Sequence, residues 1–459
     1  MKQYDSVIIG FGKGGKTLAA KLAKKGENVA IVEQSSKMYG GTCINVACIP
    51  TKSLVKNARM ASLAKDRTFS EKSAAYLQAI QEKRELTAML RQKNYNMLAN
   101  LPNVDVITGY AEFTGPKQIA IQKTDGAVLL AEGNKMIINT GSVPFVPPIE
   151  GLSGNPYVYT SESMMEMEAL PEKLVIIGGG YIGMEFASIY ANFGSHVTVV
   201  QDGDVFLPRE DADTAEAVRS VLESKGIAFF LDAKVLSVSA DDGMAHVHIT
   251  AQGKELNLPA NAVLVATGRR PNTDGLNLDA AGIEKTERGA VKTDEFLRTS
   301  APGVWAVGDV AGSPQFTYIS LDDSRIIWPQ LCDGVAAYST KNRSNIPSSV
   351  FIDPPLSFVG LKEKEAAQLG LDYRIAKISA AAVPKAQVLQ ETSGFLKALV
   401  DNKTGLILGA VLFCAESHEI INLIKLAMDM NIPAEAFSRQ IFTHPTMSEA
   451  LNDLFKPIN

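Results

Sequence analysis

Cys43 and Cys48 stand with four residues between them in Gly40-Gly41-Thr42-Cys43-Ile44-Asn45-Val46-Ala47-Cys48-Ile49-Pro50-Thr51-Lys52. Thiol exchange needs an attacking thiolate, a resolving sulfur close by and a positive charge to lower the thiol pKa. Lys52 or a helix N-terminus would supply the charge. The stretch reads first as a redox-active disulfide. Two other readings compete with it: buried inert thiols, the default for a lone cysteine, and half of a metal site. A metal would want a second ligand pair, whereas Cys332 and Cys414 are isolated from each other and from any histidine cluster, so no metal is expected. The context of the pair decides against inert thiols.

That context is a duplicated glycine loop. Ser6-Val7-Ile8-Ile9 has the composition of a buried strand and runs into Gly10, Gly12 and Gly15, a G-x-G-x-x-G pattern opening a helix through Leu18 and Leu22. A second strand, Val29 to Val32, ends at Glu33. Such glycines let the backbone approach a pyrophosphate held on the helix N-terminus, and the acid binds a ribose hydroxyl. The pattern recurs as Leu174-Val175-Ile176-Ile177 followed by Gly178, Gly180 and Gly183. From Gly10 to Gly178, Gly15 to Gly183, Gly26 to Gly194 and Val29 to Val197 the interval is the same, 168 residues. Two dinucleotide sites with a cysteine pair just after the first imply electrons passed between them. Where the first copy has Glu33 the second has Gln201, and no arginine follows until Arg209, so NADH and NADPH both stay open.

The elements that must position these residues follow from composition and pattern. A chain of 459 residues exceeds one hydrophobic core, and about three domains are expected. At 46% hydrophobic, 21% charged and net charge -5 it is an ordinary globular chain with no basic footprint for nucleic acid. No apolar run nears the roughly 20 residues of a membrane-spanning helix, and Met1 leads into a strand without a cleavable leader. With four cysteines in so long a chain, a reducing cytoplasm is the expected location, where a disulfide would be a working one.

Ser53 to Asn100 reads as one or two long helices, with Leu77, Ile80, Leu86, Met89 and Leu90 as its apolar positions. Short strands are expected from Asn103 to Thr140, and Pro144, Pro147 and Pro148 mark a linker. Met164, Met165 and Met167 read as helix packing, and His246 and His248 as a solvated strand face. Trp305-Ala306-Val307-Gly308-Asp309 is a strand entering a turn, after which a separate C-terminal domain begins past Pro347. There His444 precedes Pro445 and has Glu449 five residues on. Imidazole suits a proton shuttle for a thiol, while Thr446-x-x-Glu449 is also a capping box; both readings are compatible.

Taken together, the Gly40–Lys52 segment, both glycine loops, Thr267-Gly268, Gly308-Asp309 and His444-Pro445-Thr446 with Glu449 resemble the class I pyridine nucleotide-disulfide oxidoreductases along the whole chain. The resemblance implies an α/β fold: two Rossmann-like dinucleotide-binding domains, for FAD and NAD(P)H, plus a C-terminal α+β dimerisation domain. It divides the chain into 1–146 and 270–344 for FAD, 147–269 for NAD(P)H and 345–459 for a homodimer interface. FAD would lie on Gly10, Gly12, Gly15, Glu33, Gly41, Thr42, Lys52, Thr140, Gly141 and Asp309. NADH or NADPH would lie on Gly178, Gly180, Tyr181, Ile182, Gly183, Gln201 and Gly268. Cys48 would face the flavin, Cys43 would be the interchange thiol and Lys52 would pair with Glu185. Tyr181 would gate the nicotinamide pocket, and His444, backed by Glu449, would reach the partner subunit's disulfide. Ala47 replaces a usual glycine, which puts the loop between the sulfurs in question. Phe455 to Asn459 lack the C-terminal cysteines of mercuric reductases. Gln315 to Asp323, Met38 to Gly41 and Ser448 to Phe455 are similar to the bacterial reactive-chlorine-resistance flavoproteins, associated with reduction of hypothiocyanous acid and of copper(II). Dihydrolipoamide dehydrogenase, a general disulfide reductase and a non-catalytic redox sensor are the alternatives.

Overall fold

The computed structural model describes residues 1–64 and 66–456; Pro457 to Asn459 of the terminal stretch lie outside the described residues. The apolar run before the first glycine loop becomes the strand Lys2–Ile9, whose Val7 and Ile8 are fully buried. It sits between Val29–Glu33 and Val128–Ile138 in a sheet of parallel strands extended by Val104–Gly115 and Val304–Ala306. An antiparallel strand, Gln118–Lys123, bridges the two long ones. These strands are 12 and 11 residues long rather than short, because alternate side chains bury against the loops from 276 to 310.

The second copy builds a five-stranded parallel sheet in the order Ala228–Phe230, His196–Val200, Lys173–Ile177, Ala262–Val265, Val158–Thr160. The repeat extends to register. Ser6 pairs with Val29 and Ile9 with Val32 in the first sheet, and Leu174 with Val197 and Ile177 with Val200 in the second. Each helix after the loop packs back on its strand because the third glycine has no side chain. A Cβ at Gly183 would stand 2.1 Å from the Gly178 carbonyl oxygen, and one at Gly15 2.8 Å from Ile8 Cγ2.

Ser53 to Asn100 resolves into two helices, Cys48–Ser62 and Phe69–Ala99, the second opened by a Thr68–Glu71 capping box. The apolar face expected for it is corrected. Leu77 and Met89 are exposed, and the core side carries Tyr76, Ala79, Ile80, Lys83 and Thr87. Two of these are polar groups satisfied in place: Tyr76 donates to the Met167 carbonyl at 2.9 Å, and Lys83 donates to the Met165 carbonyl at 2.8 Å and to Glu166. Met164 and Met165 are buried as expected, though the helix there spans only Ser161–Met164. His246 and His248 lie half-exposed on the strand Met244–Ala251, bonded to Asn257 and Ser239.

The C-terminal part is an antiparallel sheet ordered Ser348–Val350, Leu356–Gly360, Ile407–Phe413, Phe395–Asp401, Tyr373–Ser379, covered by the helix Ser417–Asp429. Among the described residues no helix is long and apolar enough to cross a membrane.

Candidate active site

Gly41 has φ +82, and a Cβ there would stand 2.7 Å from Gly12 Cα, so the cysteine segment crosses directly over the first glycine loop. The crossing carries Cys43 into the short helix Thr42–Asn45 and Cys48 to the first turn of Cys48–Ser62. Asn45 locks it, donating to the Tyr39 and Gly41 carbonyls at 3.0 and 2.9 Å and accepting from Arg91 at 2.8 Å. Ala47, between the thiols, has φ -144, so the position does not require the left-handed region that favours glycine.

Both cysteines are free thiols, half-buried and hydrogen-bonded to each other. The bond from Cys43 draws the Cys48 pKa down to about 6 against its burial, with help from the Thr317 hydroxyl and the Lys52 ammonium. The same shared proton, together with burial, pushes Cys43 well up. Of the two sulfurs, the surroundings favour the thiolate form at Cys48 over Cys43. Thr317 Oγ1 lies 3.6 Å from Cys48 Sγ. Lys52 Nζ is 2.8 Å from Glu185 Oε2, and Glu185 Oε1 accepts the Phe351 N–H at 2.8 Å.

One cavity of about 2600 Å³ joins these groups to both glycine loops, well beyond the ~300–1,000 Å³ of a single small-ligand pocket. Gly10, Gly12, Glu33, Gly41, Thr42, Thr140, Gly141 and Asp309 line it on one side. Gly178, Gly180, Tyr181, Ile182, Gln201 and Gly268 line it on the other. Gly15 and Gly183 are absent from the wall; they serve the helix–strand packing described above.

The walls fit two dinucleotides. The helices Lys13–Lys24 and Tyr181–Phe193 begin at Gly12 and Gly180, N-cap residues with no side chain of their own. In the first the Gly14 and Gly15 N–H groups donate to Ser320 Oγ and Asn139 Oδ1 at 3.1 and 2.8 Å, so Gly12 and Lys13 are left to face the cavity, whereas the N-terminus of the second has no such side-chain partner among the described residues. A Cβ at Gly180 would meet no protein atom within 4 Å. Glu33 is buried and raised to about 7 by desolvation, although the Phe11 N–H donates to it at 3.0 Å. Asp309 is likewise raised by burial and accepts from Ser142 at 2.6 Å. Gln201 turns its amide onto its own loop, donating to the Gly203 and Val205 carbonyls, with Arg209 and Lys234 on the same wall.

His444 and Glu449 are not brought to the thiols of their own chain: neither lines the cavity, and the His444 side chain is 68% exposed. Nδ1 of His444 is 2.7 Å from Glu449 Oε2, while Glu449 Oε1 accepts the Thr446 N–H at 3.1 Å and its own N–H bonds Thr446 Oγ1. The reciprocal Thr446–Glu449 bonds close a turn just ahead of the helix Ala450–Leu454, whose N-cap is Glu449, while the same carboxylate meets His444. Cys414 is buried and its thiol pushed up to about 12 by desolvation.

Three groups at the site escape sequence reading. Thr317 sits at the first turn of the helix Thr317–Asp333, where a hydroxyl facing a thiol is the available signal. Lys16, two residues after Gly14, is buried, bonds Gly40 O and Asn94, and is lowered to about 8 by desolvation. Glu210 resembles an ordinary acid ahead of a helix; it accepts from the Tyr181 hydroxyl.

A pair of free thiols sharing one cavity with two glycine loops that each open a helix defines a dinucleotide-linked disulfide reductase. Residues 4–323 match the pyridine nucleotide-disulphide oxidoreductase family and 346–455 its dimerisation domain, and the chain belongs to that family of FAD-dependent, NAD(P)H-using enzymes. Within it the chain is 47% identical over 455 residues to the probable pyridine nucleotide-disulfide oxidoreductase RclA of Escherichia coli (strain K12), covering 99% of each. It is 32% identical to a mercuric reductase of Lysinibacillus sphaericus over 98% of this chain and 81% of that one. A dihydrolipoyl dehydrogenase of Mycobacterium tuberculosis is also 32% identical, over 99% and 98%. The solved Cu(II) complex of the HOCl-induced flavoprotein disulfide reductase RclA from E. coli superposes with a TM-score of 0.94 at 46% identity, covering 100% of both chains.

Proposed function

We propose that the chain is a cytoplasmic, homodimeric NAD(P)H-dependent flavoprotein that reduces a small electrophilic oxidant, hypothiocyanous acid, in defence against oxidative stress. The observation that carries the reading is the pair of free thiols, Cys43 and Cys48, in one cavity with both glycine loops, with Thr317 Oγ1 3.6 Å from Cys48 Sγ and Lys52 one turn along the same helix. The similarity to an HOCl-induced reductase favours an oxidant over a bulky disulfide as the substrate.

Gly10, Gly12, Glu33, Gly41, Thr42, Thr140, Gly141 and Asp309 would hold FAD, with Gly15 fixing the helix behind it. Gly178, Gly180, Tyr181, Ile182, Gln201 and Gly268 would hold NADH or NADPH, with Gly183 in the same supporting role. When bound, the two cofactors would supply the two electrons and one proton of a hydride, which would open the Cys43–Cys48 disulfide to one thiol and one thiolate. His444 of the partner subunit, oriented by Glu449 of its own chain, takes the Cys43 proton. The Cys43 thiolate attacks the oxidant's sulfur, the S–O bond breaks, and the same proton converts departing hydroxide to water. Cys48 then displaces thiocyanate from Cys43 and restores the disulfide. One thiol, one thiolate and hypothiocyanous acid thus yield one disulfide, water and thiocyanate.

A second reading, copper(II) reduction, has one favouring observation: RclA of E. coli was solved as a Cu(II) complex both intact and as its C43S mutant. Parallel assays of the purified protein with hypothiocyanous acid, dihydrolipoamide, oxidised glutathione and copper(II) separate the readings. The proposal expects hypothiocyanous acid to be turned over with the highest kcat/KM. Faster turnover of dihydrolipoamide or glutathione disulfide would replace it, and no turnover of any acceptor would leave a redox sensor.

A further inference from the structure

We propose that Glu210 and Lys362 form a latch that holds Tyr181 in its resting position and thereby sets the affinity for the nicotinamide end of the dinucleotide. The inference rests on the reading of the second glycine loop as the NAD(P)H site.

Tyr181 opens the helix Tyr181–Phe193 directly after Gly180, and Glu185 lies one turn further on the same face. Glu185 holds Lys52, four residues past Cys48. A ring reaching from the loop toward Lys52 therefore passes over Tyr181, which lines the cavity at that point. The Tyr181 hydroxyl donates to Glu210 Oε1. That oxygen also accepts from Lys362 Nζ at 2.8 Å, and Lys362 donates to the Arg209 carbonyl at 2.6 Å. The Glu210 side chain is wholly buried, and its Oε2 has no partner among the described residues.

Glu210 precedes the helix Ala212–Ser224 of the dinucleotide-binding part, whereas Lys362 caps Glu363–Gln368 in the C-terminal part. The latch therefore joins the two. Lys362 Nζ stands 4.4 Å over Phe358, whose ring centre is 6.1 Å from that of Tyr181, so the anchor is braced by packing. Swinging Tyr181 aside gives up a charge-assisted hydrogen bond to a buried carboxylate and leaves Lys362 as the remaining partner of Oε1. A dinucleotide that needs the ring displaced binds with its intrinsic affinity reduced by the fraction of molecules whose latch is open.

Calorimetric titration of the FAD-loaded protein with NAD⁺ and NADP⁺ tests this without turnover. Tyr181→Phe keeps the ring and deletes the donor, and is expected to bind the preferred dinucleotide about tenfold more tightly, the scale of one charge-assisted hydrogen bond. Glu210→Gln keeps the shape and weakens the acceptor; a several-fold gain is expected. The double variant is expected to bind no more tightly than Tyr181→Phe alone, because the second change removes a bond already absent. Unchanged or weaker affinity in Tyr181→Phe, or effects that simply add, would overturn the latch. Should Glu210→Gln fail to fold, Tyr181→Phe and Lys362→Met report on the same bond from its other two ends. Wild-type protein that binds neither dinucleotide would overturn the site reading instead.

Discussion

Lys52 Nζ and Glu185 Oε2 stand 2.8 Å apart, and this ion pair ties the helix that begins at Cys48 to the helix that begins at the second glycine loop. Lys52 also lies 4.5 Å from the centre of the Phe351 ring, so its position is set from three segments of the chain. The charge near the thiolate is thus held by the element expected to deliver the electrons.

Replacing Lys52 by methionine should raise the Cys48 pKa from about 6 by at most about one unit, since the Lys52 charge contributes less to lowering it than the Cys43 and Thr317 hydrogen bonds do. The sign follows from the thiolate losing its cation. Alkylation of the reduced protein with iodoacetamide across pH 5 to 9, read at the Cys48 peptide by mass spectrometry, gives the midpoint. A midpoint unmoved from wild type would remove Lys52 from the account.

Thr317→Val deletes the hydroxyl 3.6 Å from Cys48 Sγ while keeping the side chain's shape. The same alkylation profile should move upward by at least as much as for Lys52→Met, because the hydroxyl bonds the sulfur directly whereas the Lys52 charge acts without a bond and is partly offset by Glu185. A shift smaller than that of Lys52→Met would reverse this ranking.

Much of this site was legible beforehand, for a definite reason. The glycine loops and the cysteine segment are backbone devices whose residue types are dictated locally, and the shared interval of 168 residues survives into identical strand register. Interactions set by distant partners were not legible. Asp211 precedes a helix and looks like a cap, yet its carboxylate turns away to the Glu363 and Lys364 N–H groups and to Lys397. Lys83 breaks the apolar stripe of its helix because the carbonyl that satisfies it lies 82 positions away. The five-residue spacing of His444 and Glu449 suggests a pair, and their side chains stand 2.7 Å apart.

Lys397 is fully buried with its ammonium 3.1, 2.8 and 2.6 Å from Asp211, Asp213 and Glu363. Burial pulls its pKa down, but the three carboxylates outweigh it and hold the pKa above that of a free lysine. Lys397→Met leaves Asp211 and Glu363 crowded beside Asp213, with Lys377 on Asp213 as the remaining counter-charge, and a loss of about 3 kcal/mol is expected. Denaturant or thermal unfolding of the FAD-loaded protein measures it; stability equal to wild type would mean that the cluster does not tie the C-terminal sheet to the segment before Ala212–Ser224.

If the partner's His444 serves the thiols, His444→Gln should lower turnover of hypothiocyanous acid by about 10²–10⁴-fold. Mixed dimers made from His444→Gln and Cys43→Ser subunits would then carry one complete site, and activity should return where each parent has almost none. Failure of the mixture to regain activity would place the proton shuttle within a single chain or elsewhere.

The central claim is that Cys43 is the atom that meets the oxidant. Its most direct test is NAD(P)H-dependent turnover of hypothiocyanous acid by Cys43→Ser protein that retains FAD and dinucleotide binding. The account predicts turnover reduced to background with flavin reduction by NAD(P)H intact. Full turnover in that variant would contradict it.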